Sequence, residues 1–236
     1  MKILIMAVLL LAFFCQQALA LQKVSDQMIG AAQEYGRTRA ELAAGELQKP
    51  WTVPEQLNEN VYADAERIIV FTPYLIVAMD AQNKTRAYEE IKLKESSDLA
   101  SAYEQVFIVG AIIDAPEKLA PDKLMTKILQ DGKSLLPYHA ELVAAAMTEK
   151  VIEKPVNIKD AADSKLLKPV TPKQKQPSEE EPPLPDTIKI KSPVWNLQYY
   201  FYFEPAKLNP LLPLILKIDD GLAGEREFRF HLANMN

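Results

Sequence analysis

The residues to question first are His139 and His231, because a hydrolytic triad needs a base between a nucleophile and an orienting acid. Neither has a nucleophile in a readable motif, since no serine lies in a Gly-x-Ser-x-Gly elbow. His139 follows Pro137-Tyr138 at a strand exit, and His231 falls on the solvent side of a terminal strand. Two distant histidines with the single Cys15 do not supply the usual zinc ligand sets. Aspartate and glutamate total 32, so carboxylates meet by chance and no pair stands out for acid–base or glycosidic work. Glu89-Glu90 at a helix end reads as solvated surface. The oxygen-rich run Asp219-Asp220-Gly221-Leu222-Ala223-Gly224-Glu225 lacks the spaced ligands of an EF-hand and reads as a hairpin turn. No catalytic residue, metal ligand or cofactor is therefore assigned.

The ligand-facing signal is aromatic. Trp195, Tyr199, Tyr200 and Tyr202 are the candidate binding residues, within a strand that also carries Phe201 and Phe203. Alternation puts Tyr200 and Tyr202 on one face and Tyr199, Phe201 and Phe203 on the other. One face must pack in a core; an exposed strip on the other would mark a surface for a sugar or peptide. Thr72-Pro73 could begin an anion-binding helix terminus, but no glycine-rich loop admits a phosphate and proline removes a donor, so it reads as a structural cap. Asn83-Lys84-Thr85 matches the N-glycosylation pattern inside an expected helix, where chance is the better explanation.

The chain that must position these groups has 236 residues, 48% hydrophobic and 25% charged, enough for one good-sized core or two small ones. Residues 1–20, MKILIMAVLLLAFFCQQALA, read as a signal peptide: Lys2, an apolar run from Ile3 to Phe14, and Ala18-Leu19-Ala20 before the cut. That run is shorter than the roughly twenty residues a membrane span needs. Phe13 and Phe14 precede Cys15 where lipoprotein processing prefers a small residue, which argues against a lipid anchor there. The expectation is an exported, periplasmic or extracellular chain with no integral membrane segment once the signal is removed. Its mature part would lack cysteine and depend on packing for stability. The formal net charge of −5 gives no electrostatic support for nucleic-acid binding.

Residues 21–50 are read as an N-terminal amphipathic helix capped by Ser25, its apolar stripe interrupted at Thr38-Arg39. Trp51 to Tyr62 looks irregular. In 62–154, Glu66 to Phe71 reads as a buried strand, followed by a helix with Thr72 as cap and Pro73 in its first position. Ser96 or Ser97 would cap a short helix through Tyr103. QVFIVGAIIDA over 105–115 is the clearest buried strand, with Gly110 marking a bulge or a close backbone approach. Asp131-Gly132 signals a hairpin between 124–129 and 134–136. Residues 140–152 are ambiguous: the spacing of Val143, Met147 and Val151 favours a helix, and a strand also fits. Residues 155–193 are rich in proline, lysine and glutamate and read as a flexible excursion. Residues 194–236 return as three strands that complete the same domain.

The fold class that follows is α+β, a β-sandwich-like antiparallel core of about six or seven strands, with an N-terminal helix and a helical insertion after the first strand. The leading functional expectation is an exported non-catalytic binding or structural component of a cell envelope or extracellular assembly, with a protein or polysaccharide partner. Two alternatives stand beside it: an exported hydrolase using loop carboxylates, and a soluble periplasmic chaperone or carrier working through its N-terminal helix.

Overall fold

The structure, a computed structural model, describes residues 24–57, 60, 62–63, 65–155 and 187–235. The expected signal peptide and most of the proline-rich excursion therefore lie outside the described residues. The chain is α+β, with two antiparallel sheets and a group of helices. The strands are β1 (Thr52–Pro54), β2 (Arg67–Phe71), β3 (Phe107–Ala115), β4 (Met125–Gln130), β5 (Lys133–Leu135), β6 (His139–Pro155), β7 (Thr187–Phe203), β8 (Leu214–Asp219) and β9 (Glu225–Phe230). The larger sheet has the order β1-β2-β3-β7-β6 and the smaller β5-β4-β8-β9.

One hydrophobic core joins the sheets. It takes Ile68, Val70, Val109, Ala111, Ile113, Leu197, Tyr199 and Phe201 from the larger sheet and Ile128, Leu216 and Phe228 from the smaller. These positions recur at every second residue, as burial on one sheet face requires. Past β1 the chain crosses to the other sheet, where the Gln56 amide donates to the Glu227 carbonyl at 3.1 Å. That bond closes one corner of the sandwich.

The helices are α1 (Asp26–Arg37), α2 (Ala44–Gln48), α3 (Pro73–Arg86) and α4 (Leu93–Tyr103). The N-cap signals at Ser25 and Thr72 hold: Ser25 Oγ accepts from the Met28 amide, and Thr72 Oγ1 accepts from the Leu75 amide at 3.2 Å. Pro73 opens α3 where its missing N–H costs nothing. α1, α3 and α4 share a small core of Ile29, Ala32, Val77, Ala78 and Ala100. A Cβ at Gly36 would stand 2.0 Å from the Ala78 carbonyl oxygen, so glycine is what lets α1 and α3 come together. α3 leaves β2 and α4 returns to β3, which places the helices at the end of the sandwich holding Phe71, Phe107 and Phe203.

Five expectations need correction. The first helix stops at Arg37, where Thr38 Oγ1 bonds back to the Glu34 carbonyl at 2.8 Å; α2 is a separate turn of helix. α4 begins at Leu93 without a side-chain cap, and Ser96 is buried inside it, accepting from Gln33 Nε2 at 2.9 Å. Residues 140–152 form strand, because a four-residue apolar spacing satisfies a period of two as well as a helix. Nine strands are present among the described residues where about six or seven were expected, β1 and β6 being additions. β7 also begins at Thr187, inside the supposed excursion. Pro193 is tolerated there because β3 ends opposite Trp195, leaving β7 only β6 as a neighbour.

Candidate functional site

β7 is the strand on which the candidate binding residues sit, paired with β3 on one side and β6 on the other. Alternation splits them. Tyr199 points into the core between the sheets, stacked on Phe201 at a centroid distance of 5.9 Å, and its hydroxyl donates to the Leu119 carbonyl at 2.8 Å. Burial, with Asp220 nearby, pushes its pKa up to about 12. Trp195 is half-buried at the margin of the core, in register with Ala115 and with the exposed Met147. Tyr200 and Tyr202 lie on the outer face and are half-buried.

That outer face is built by close packing beneath the rings. A Cβ on Gly110 would come 2.8 Å from the Phe71 ring and 3.2 Å from the Tyr200 ring, so the approach expected at this glycine is real. Phe71 meets Tyr200 edge to face at 5.2 Å. His139 and Tyr138 extend the strip from β6 and the turn before it, with ring centroids 5.2 and 6.4 Å from Tyr202. The Tyr202 hydroxyl donates to the Glu141 carboxylate on β6. Burial raises the Tyr202 pKa and the Glu141 hydrogen bond and charge raise it further, so the phenol stays protonated and the carboxylate stays its acceptor. Burial, then Glu141 and Tyr103, raise Tyr200 as well. The result is a row of aromatic faces with one fixed carboxylate, suited to stacking and hydrogen bonding and without a paired nucleophile. His139 touches the strip as a ring.

At the opposite end of β3 lies a group of charges that sequence reading passed over. Arg226 of β9 is 1% exposed and faces two acids whose side chains are fully buried: Glu66 at 2.8 Å and Asp220 at 2.9 Å. It also donates to the Asp114 carbonyl at 2.9 Å. Burial alone would lower the Arg226 pKa, but Glu66 and Asp220 offset it and hold the guanidinium charged. Glu66 Oε1 in turn accepts from the Asp114 amide at 2.7 Å and from Asn60 Nδ2 at 2.8 Å. The Asp114 carboxylate accepts from Lys150 Nζ and Asn196 Nδ2, each at 2.9 Å. This arrangement bolts β9 to β2 and β3, and ties β6 and β7 to β3 where the long hairpin leaves the body. Its one visible signal was an aspartate closing an otherwise apolar strand.

The other sequence candidates fall away from both places. His231 is exposed beyond β9. In the turn after β8, Asp219 Oδ1 accepts from the Gly221 amide, and Asp220 Oδ1 from the Leu222 and Ala223 amides, so these oxygens serve the turn. Among the described residues no cluster of three or more histidine, cysteine or acidic side chains is placed to hold a metal. A groove of about 520 Å³ separates the β4–β5 turn from residues 206–212; its floor is Ile128 and Leu208, and its lining has one acid, Asp131, and no histidine. Among the described residues no helix is long and apolar enough to cross a membrane. No protein-family model, no curated protein and no solved structure matches the chain.

Proposed function

We propose that this chain is an exported, non-catalytic binding or structural component of a cell envelope or extracellular assembly, and that it engages a protein or polysaccharide partner through the outer face of β7. The supporting observation is the half-buried row of Tyr200 and Tyr202 on an outer sheet face, with exposed Tyr138 and His139 beside them and Glu141 fixed by the Tyr202 hydroxyl. Aromatic faces bring large contact area with few rotatable bonds, and a carboxylate among them gives direction to a hydroxyl- or amide-bearing ligand. The export half of the reading rests on residues 1–20.

The hydrolase alternative gains nothing from the geometry, because Glu66, Asp220 and Asp114 are held by Arg226 and Lys150. The carrier that lifts its first helix is no better supported, because Ile29 and Ala32 of α1 are buried against α3 and α4. The test is binding of the purified chain to polysaccharide panels and to envelope proteins of its host, compared with Tyr200→Ala and Tyr202→Ala. Loss of at least tenfold in affinity in variants that keep their circular dichroism spectrum and melting temperature is expected, the scale of a central aromatic anchor at an interface. Saturable binding untouched by either substitution would sink the proposal, and so would the absence of any saturable ligand.

A further inference from the structure

β6 is one of the two longest strands in the described structure and, among the described residues, an edge of its sheet. Edge strands in soluble proteins are normally short, or guarded by lysine, proline or inward charge, because their free N–H and C=O groups template further pairing. Here the stretch Leu142–Thr148, LVAAAMT, has no charge and no proline. Val143 is 48% exposed and Met147 is 61% exposed, so apolar side chains stand out along an edge that no other described strand pairs. Three consecutive alanines, Ala144 to Ala146, leave that edge open to close approach.

We propose that this edge pairs antiparallel with β6 of a second copy of the chain, about a two-fold axis through Ala146, joining two five-stranded sheets into one. In such a pairing, opposed residues share a sheet face, so the register must match faces as well as charges. Val143 has no partner on β7 and is the extra residue of a bulge between Leu142 and Ala144. Counting past it, Ala146 meets its own copy, Ala145 meets Met147, Ala144 meets Thr148, and Glu141 meets Lys150 on the outer face, twice by symmetry. Residues 144–148 are thereby laid on themselves, Leu142 falls opposite Glu149, and opposite charges meet at Glu141 and Lys150 on either side. Axes through Glu149 or Lys150 would instead put like charges face to face, which is destabilising. The Lys150 ammonium stays on Asp114 and the Tyr62 carbonyl, so its attraction for the facing Glu141 acts through space. The surface is self-complementary, as a two-fold interface requires. It shares Glu141 with the Tyr200–Tyr202 face, but its test reads Ala146 and self-association rather than ligand affinity, so the failure of either proposal can be told from that of the other.

The test is the mass of the chain, purified as its host makes it, followed by sedimentation equilibrium across concentration, with variants Ala146→Lys and Ala146→Glu. Ala146 is exposed in the single chain, so both substitutions are compatible with the fold, and circular dichroism checks that they are. A concentration-dependent dimer is expected, weakened roughly fivefold by either like-charged pair on the axis. Mixing the two variants should restore association through a Lys–Glu pair, read as a heterodimer in native mass spectrometry. A chain that stays monomeric throughout, or variants that dimerise as tightly as the parent, would overturn the proposal. An Ala146→Glu homodimer tighter than the parent would move the axis toward Lys150 and overturn this register. A heteromeric partner captured at position 146 of a monomeric chain would replace the second copy as occupant.

Discussion

Replacing Arg226 with methionine removes the cation that faces both Glu66 and Asp220. The magnitude follows from their burial. Arg226 is 1% exposed, and both acid side chains are fully covered, so neither can recover its hydration when the guanidinium leaves. Breaking a buried pair by deleting one partner typically costs about 3–5 kcal/mol, most of it the penalty of the charge left behind. For a chain of this size that is a fall in melting temperature of roughly 10 °C. In the triple variant Arg226→Met, Glu66→Gln, Asp220→Asn, all three of these charges are gone together. The amides introduced at positions 66 and 220 would keep the side-chain oxygens that accept from Asn60, Asp114, Leu222 and Ala223. The triple variant should therefore be more stable than the single one. Urea unfolding followed by the fluorescence of Trp51 and Trp195 reads both. A loss below about 1 kcal/mol in the single variant, or a triple variant less stable than the single, would refute the view that uncompensated charge governs this site.

Two further changes test the local physics. Tyr88 sits at φ 58° just past α3, 98% exposed, where the Glu89 amide bonds back to the Lys84 carbonyl at 2.8 Å and the position favours glycine. Tyr88→Gly should stabilise the chain by about 1 kcal/mol, measured by thermal melting; a destabilised variant would show that the ring has a contact worth keeping. Tyr199 has a folded pKa of about 12 against an ordinary value of 10, so its unfolded state ionises first. Its contribution is complete below pH 10 and is lost as pH rises through about 12, by roughly 3 kcal/mol at the top of that window. Tyr199→Phe should flatten that alkaline fall in urea titrations; an unchanged pH profile would place the phenol in water.

The features that sequence made legible are those whose chemistry is complete within a few residues. Thr72 caps α3 because its hydroxyl reaches an amide three residues on, and Pro73 needs only the position after it. Asp131 and Gly132 both take positive φ, 50° and 70°, as the two-residue turn between β4 and β5 demands. The alternation of β7 separated Tyr199 from Tyr200 and Tyr202 correctly, because period two is a property of the strand itself. What it could not supply was which neighbour covers each face, and that decides whether a tyrosine is a core residue or a surface.

β6 and the charge group show the other side. A run such as AELVAAAMTEKVI contains good helix formers, and it is strand because β7 lies alongside for seventeen residues, a long-range fact absent from the run itself. Propensity yields to such pairing, since a sheet ladder supplies both the hydrogen bonds and the burial that a lone helix would need to find elsewhere. Asp114 is the more instructive case. Read locally, it ends a strand; in space its amide, carbonyl and carboxylate serve Glu66, Arg226, Lys150 and Asn196, residues from 36 to 112 positions distant. A buried polar group has to be satisfied somewhere. An acid closing an apolar run therefore implies partners drawn from other elements, although one chain alone does not say which. The end of the sandwich away from the helices is organised by that requirement, and the aromatic face and the β6 edge, both carried by the same pair of long strands, are the surfaces proposed to meet other molecules.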